Sequence, residues 1–454
     1  MGLAISRGCF RMDLLSLLVF SLTILAIIFA PYERSLIALF GVVVMVLVSE
    51  SYGFVDAFKS VDWNVIMILL GMWILSGYLS RSGLPQYIVF ILSTRISSPA
   101  MLILALALVA GFVTMFVDNV LVILLFGGLA TRIALGAGMD PLLPAMIIGL
   151  SANYMGTALL LGDLPPQMLH GIAGAEFLDF IVFRGIPSSL PLLTISFIVT
   201  LLALYPLWFK RMKGGTRSNP GGLAYIGLES KPKLDKLTAL AATAGFLAFI
   251  VLASIRPMLG VELGAIAVSV ATTVAVLLEL LRSRVGSGDI PAFEDVLRDM
   301  EWKVLIFYIA LFMLVGGLKA GGVISEVSEL IASYMAGSLL ISYTIVYWVT
   351  GILSTVIEHD AVILFLLKTL KETGTIIGVD PWPHYWAVAW AGTLGSNATI
   401  AGAPALYLAL VIAEKARGRS ASWGEWMKIT VPFTVLSLLI HYLISIPFAI
   451  LISQ

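Results

Sequence analysis

The chain has 454 residues, of which 60% are hydrophobic and 12% charged, about half the ~25% charge of a soluble domain. Basic and acidic residues cancel at 27 each, so no basic footprint marks a nucleic-acid partner. The single cysteine, Cys9, excludes an internal disulfide framework and a cysteine-based metal site. With a mean hydropathy of +1.03 and several stretches near the roughly 18 apolar residues that cross a bilayer, the chain reads as an all-α polytopic membrane protein.

In chain order, the start MGLAIS fits a short and common myristoylation pattern. Arg7 and Arg11 ahead of Leu14–Ala30 mimic a signal peptide, but no small-residue cleavage site follows, so 14–30 is read as the first transmembrane helix. Leu36–Val48 and Val65–Leu79 are the next spans. Met101–Leu135 is apolar but is cut by Asp118-Asn119 in the run FVDNV. Asp and Asn bond their own backbone and favour breaks, so a helix–turn–helix that enters and leaves from one side is expected. The stretch SANYMGTALLLGDLPP at 151–166 is crowded with Gly, Ser, Thr, Asn and Pro and predicts a broken helix. Leu190–Phe209 closes the first half, and 210–235, rich in Gly, Pro and Lys, reads as a cytoplasmic linker. Leu237–Ser254 and Leu263–Leu281 follow as spans. Ser338–Leu370, cut at Glu358-His359-Asp360 in the run IEHDA, predicts a second hairpin, and GTLGSNATIAGAP at 392–404 a second broken helix.

These features repeat. SYGFVDAFKSVDW at 51–63 matches PAFEDVLRDMEW at 291–302, pairing Trp63 with Trp302 at an offset of 239. At an offset of 240, Asp118 meets Glu358, Asn119 meets His359, Gly156 meets Ser396 and Gly162 meets Gly402. FLDF at 177–180 resembles WGEW at 423–426. Ordered blocks at a nearly constant offset argue for duplication: a first repeat at 1–209, the linker at 210–235 and a second repeat at 236–454. Each repeat offers about five transmembrane helices plus a re-entrant hairpin, and that odd number inverts the second repeat relative to the first. The Lys/Arg bias agrees, with Arg34, Arg81, Arg95, Arg282, Arg284, Lys415, Arg417 and Arg419 inside and Arg7, Lys59, Arg256 and Lys371 outside. Trp63 and Trp302 are expected as interfacial anchors, and His170 as a packing residue.

Charge in hydrocarbon costs roughly 3 kcal/mol per residue even on mild scales. The bland reading makes the two acidic tips surface loops, but apolar residues flank both closely. Small residues in the broken segments serve helix packing, which accounts for Gly and Ala but poorly for Asn153, Asp163 and Asn397. A broken helix also directs free N–H groups into a cavity. Close carboxylates hold a proton near neutral pH, and a histidine titrates near ~6.5. Oxygen ligands would equally suit Na⁺. No GxxxxGK[ST] run provides for ATP drive.

FVDNV followed by GTALLLGDLPP, with GSNATIAGAP in the second half, resembles the ion-transporter superfamily of arsenite permeases, sodium/proton antiporters, the P protein and citrate-transporter-like permeases. The resemblance implies two inverted repeats with broken helices around a central site. It carries site roles to Asp118, Asn119, Gly156, Thr157, Gly162 and Asp163, and to Ser396, Asn397, Thr399 and Gly402. Glu358-His359 stands where relatives carry Asp-Asn, Asp360 is an addition, Leu159 replaces Thr and Gln167 replaces Asn.

The expected function is secondary active transport of a small ion or anion across a cell membrane, coupled to H⁺ or Na⁺. Asp118, Asn119, Asp163, Glu358, His359 and Asp360 are assigned to the coupling ion. Asn153, Gly156, Thr157, Gly162, Ser396, Asn397, Thr399 and Gly402 are assigned to the substrate. No cofactor and no resident metal are expected, and Na⁺ would bind at the coupling residues. A cation/proton antiporter is the nearest alternative. A membrane-embedded acid–base or metal enzyme, using Asp118 with Asp360 or His359 with Glu358, is more remote because no HExxH-type pair exists. Membrane lipid is the expected surrounding, and the resemblance leaves a homodimer open.

Overall fold

The computed structural model describes residues 13–30, 33–212, 231–285, 290–335 and 337–454. The MGLAIS start, Cys9 and most of the expected linker, at 213–230, lie outside the described residues. Among the described residues the chain is almost entirely helical, apart from a two-residue antiparallel pair, Val182–Phe183 with Ile186–Pro187. Seven helices have the length and apolarity to cross a membrane: Trp63–Arg81, Asn119–Gly136, Ser189–Trp208, Lys236–Ser254, Leu263–Arg284, Trp302–Ala320 and Trp423–Ile452. Leu14–Phe29, Arg34–Val48, Pro99–Val113, Leu142–Met155 and Leu339–Leu353 are shorter apolar helices. Acidic caps start several of them: Asp13, Asp62 and Asp235 each accept a hydrogen bond from a first-turn backbone N–H.

Helix boundaries recur at the offsets read from the sequence. Trp63–Arg81, Pro99–Val113, Asn119–Gly136, Leu142–Met155 and Leu164–Ala173 are matched by Trp302–Ala320, Leu339–Leu353, His359–Ile377, Trp382–Ser396 and Pro404–Arg417. The local chemistry recurs too. Trp63 Nε1 donates to the Phe58 carbonyl at 3.2 Å, and Trp302 Nε1 to the Leu297 carbonyl at 2.8 Å. Gly83 and Gly322 both adopt left-handed backbone, with φ of 79° and 74°. After these glycines run Leu84–Arg95 and Val323–Met335, two helices that the sequence reading does not separate from their neighbours.

One matched block differs in structure. Phe177–Phe180 forms a single 3₁₀ turn before the small strand pair, whereas Trp423 opens the helix Trp423–Ile452 directly. What the two share is a capping box, Glu176 with Asp179 and Ser422 with Glu425; the resemblance lies in the cap and not in the element that follows.

The halves pack reciprocally. Leu263–Val285 lies on Trp63–Arg81, and Arg34–Val48 lies on Trp302–Ala320, so the second helix of each half rests on the third of the other. Small residues allow this approach: Gly264 sits against Asn64, donating its N–H to Asn64 Oδ1 at 2.7 Å. Ion pairs and one lysine hydrogen bond join helix ends that are distant in sequence. Arg81 pairs with Asp299, and Arg417 with Asp140 and Glu425. Arg184 pairs with Asp380, Arg256 with Glu176, and Lys371 donates to the Ile172 carbonyl.

Each hairpin tip is pressed against the break in the following helix, and one glycine permits it in each half. A Cβ at Gly162 would lie 2.6 Å from the Thr114 carbonyl oxygen, and one at Gly402 would collide with the Ser354 carbonyl. Gly162→Ala and Gly402→Ala should each destabilise the purified protein by about 1–3 kcal/mol of overpacking, read as a lower thermal midpoint in detergent. Gly128→Ala, with nothing within 4 Å of the added carbon, should not lower it. Equal midpoints for all three would show that the tips are not in close contact.

Candidate functional site

Two hairpin tips and two helix breaks meet at the centre. Asp118 caps Asn119–Gly136, its carboxylate accepting the Val120 N–H at 2.9 Å. Asp163 caps Leu164–Ala173 in the same way, through the Leu164 N–H at 2.9 Å. Glu358 occupies the cap of His359–Ile377 but makes no such side-chain bond. Relative exposures of 4% for Asp163, 2% for Glu358, 3% for His359 and 1% for Asp360 rule out the surface-loop reading of these charges. Asp118 is half-buried.

The tips are tied to the breaks by equivalent residues. Asn119 Nδ2 donates to Asp163 Oδ2 at 2.9 Å. His359, the residue matched to Asn119, places both its backbone N (3.1 Å) and its ring Nδ1 (3.0 Å) on the Gly402 carbonyl oxygen. A carbonyl only accepts, so Nδ1 carries the proton. The two breaks are also tied to each other. Asn153 Nδ2 donates to Ser396 Oγ at 3.0 Å and Asn397 Oδ1 at 3.2 Å, and the Thr157 and Thr393 hydroxyls lie 2.6 Å apart. Asn153 corresponds to Thr393 and Thr157 to Asn397, so these contacts are reciprocal across the halves.

All six expected coupling residues line one small central cavity of about 20 Å³, joined by Asn153, Arg34 and Tyr308. The other residues assigned to the substrate do not line it. Thr157, Ser396 and Asn397 form the junction of the breaks. Gly162 and Gly402 allow close backbone approach, and a Cβ at Gly156 would meet the Asp163 side chain at 3.0 Å. Thr399 donates to the Thr355 carbonyl and accepts the Ala401 and Gly402 N–H groups at 3.2 Å each, holding its loop to the hairpin. His170 bonds Asn64 and the Ala175 carbonyl, which is a packing role.

Sequence reasoning misses Arg34 and Tyr308. Arg34 Nη1 lies 3.3 Å from Glu358 Oε1, and its guanidinium stands 4.8 Å over the Phe307 ring. The sequence shows Arg34 as one more positive-inside charge, and no matched basic residue in the second half flags it. Four carboxylates thus face one guanidinium. Buried charges of one sign are costly unless neutralised, so protons or a bound cation must balance the remainder.

Asp118 also borders a vestibule lined by Trp73, Ser76, Ser80, Asp299 and Glu301, on the face of the Arg81–Asp299 pair. At the matched place in the other half, the Tyr52 hydroxyl donates to the Met313 carbonyl, and a Cβ at Gly316 would meet that hydroxyl at 2.6 Å.

A family model described as citrate transporter matches residues 24–391. An uncharacterized transporter of Mycobacterium bovis is 24% identical over 89% of this chain and 91% of the relative. A 46 kDa membrane protein of Mycobacterium leprae is 25% identical over 94% of this chain and 96% of the relative. The human P protein is 24% identical over 90% of this chain and 57% of that longer protein.

The tip-to-break bond is the testable element. Asn119→Ala removes the donor to Asp163 Oδ2 and should destabilise the protein by about 1–3 kcal/mol, the cost of stranding a buried acceptor. An unchanged thermal midpoint would remove this bond from the account.

Proposed function

The chain belongs to the citrate-transporter family, and from that premise we propose that it is a secondary active transporter that couples movement of a small ion or anion across a cell membrane to H⁺ or Na⁺. The observation that carries this reading is the convergence of Asp118, Asp163, Glu358 and Asp360 on one cavity, from equivalent hairpins and breaks of two matched halves. In this reading the carboxylates hold the coupling cation. The positive dipole ends at the starts of Leu164–Ala173 and Pro404–Arg417 favour an anionic or polar substrate beside Asn153.

An inverted arrangement of the repeats, with the linker cytoplasmic, is supported by these bonded helix ends. Arg81 and Arg417, expected inside, pair with Asp299 and Asp140, while Arg256 and Lys371, expected outside, bond Glu176 and the Ile172 carbonyl, so no pair joins an end expected inside to one expected outside. The vestibule to Asp118 then opens to the cytoplasm. Alternating access would open the other side in turn. Membership in a transporter family counts against the membrane-enzyme alternative. The cation/proton antiporter remains the second reading, favoured by the excess of carboxylates over Arg34.

Proteoliposomes loaded with a pH dye test this. Citrate, arsenite or another anion should trigger a proton flux that Asp118→Asn abolishes while the protein stays folded. A flux triggered by Na⁺ alone would establish the antiporter instead, and wild-type flux in Asp118→Asn would take Asp118 out of the mechanism.

A further inference from the structure

We propose that Glu358, His359 and Asp360 form a binding site for a divalent transition-metal ion such as Zn²⁺ or Co²⁺. One ligand atom from each of the three lies within 4.8 Å of the others. The side chains are 97–99% buried, yet Glu358 Oε2, His359 Nε2 and Asp360 Oδ1 have no hydrogen-bond partner. Three orphaned polar atoms in one buried cluster are costly, and a ligand held by the cluster would satisfy them.

The histidine supplies the second, independent indication. The Gly402 carbonyl fixes the proton on Nδ1, so a neutral imidazole aims its free Nε2 lone pair into the cluster. This is the tautomer that metals take, held by the backbone carbonyl support that ligating histidines use. Nε2 stands 3.5 Å from Asp360 Oδ1, too long for a hydrogen bond between them. The same distance suits two ligands of one tetrahedral ion, because bonds of ~2.1 Å place neighbouring ligand atoms ~3.3–3.5 Å apart. An imidazole nitrogen with two carboxylates suits Zn²⁺ or Co²⁺ better than Na⁺ or Mg²⁺, which prefer all-oxygen shells. Two carboxylates also neutralise a divalent charge. Arg34 approaches the other Glu358 oxygen, Oε1, so Oε2 stays available.

The first half has no such set. The positions matched to Glu358, His359 and Asp360 are Asp118, Asn119 and Val120, so the site belongs to one hairpin only. It deepens the transport reading by naming a class of ion at the same cavity, and it rests on that reading only for its role in transport.

The experiment is calorimetry and visible absorption of the full-length protein in detergent, titrated with Co²⁺ or Zn²⁺ and without any gradient. The wild type should bind one ion, with Co²⁺ giving the absorption bands of a nitrogen- and oxygen-ligated low-coordination site. His359→Asn, which keeps an amide donor for Gly402, and Asp360→Val, which installs the first half's own residue, should each weaken binding roughly 100-fold or more. Gly128→Ala, with nothing within 4 Å of the added carbon, should not. Absence of binding to the wild type, or undiminished affinity in both hairpin variants, would overturn the proposal. Either result leaves the proton-flux test of transport untouched, and loss of transport with intact metal binding would leave this site standing.

Discussion

The structure depends on one constraint: backbone that leaves the helix inside a membrane must find its hydrogen bonds within the protein. Here each hairpin tip and the adjacent helix break meet that need for each other. Asn119 reaches Asp163 in one half, and His359 reaches the Gly402 carbonyl in the other. The backbones come close because Gly162 and Gly402 carry no side chain. The breaks are then tied across the halves through Asn153 with Asn397 and Thr157 with Thr393. The polar centre is thus held by two tip-to-break bonds and by two bonds between the breaks.

Within that frame the halves differ in charge. Each gives two acids, but from different places: Asp118 and Asp163 in the first, Glu358 and Asp360 in the second, where Ala403 stands opposite Asp163 and Val120 opposite Asp360. Arg34 leans toward the second tip alone. The matched positions share geometry but not chemistry. A vestibule borders Asp118 as well.

Much of this was legible in the sequence. Apolar length gave the spans to within a few residues, as Leu237–Ser254 against the observed Lys236–Ser254 shows. Polar interruptions gave both hairpins and both breaks, because Asp, Asn, Gly and Pro have local backbone reasons to stop a helix. All six residues assigned to the coupling ion reached the cavity. The substrate assignments fared differently: among them Asn153 lines the cavity, while Thr399, Ser396 and Asn397 make loop and junction bonds. A motif marks where backbone is irregular, and it does not tell which way each side chain turns. Arg34 was illegible as a site residue because its partner Glu358 is 324 residues away and nothing local marks the contact.

The central claim is that the two halves are inverted, so that their matched acids are reached from opposite faces. Cysteines placed one at a time at exposed positions beside each hairpin test it most directly: Ser97→Cys before the first and Thr375→Cys near the end of the second, each with Cys9→Ser. In sealed, oriented vesicles, a membrane-impermeant thiol reagent should label position 97 from the cytoplasmic face and position 375 from the outer face. Labelling of both from the same face would contradict the inversion and, with it, alternating access built from matched hairpins.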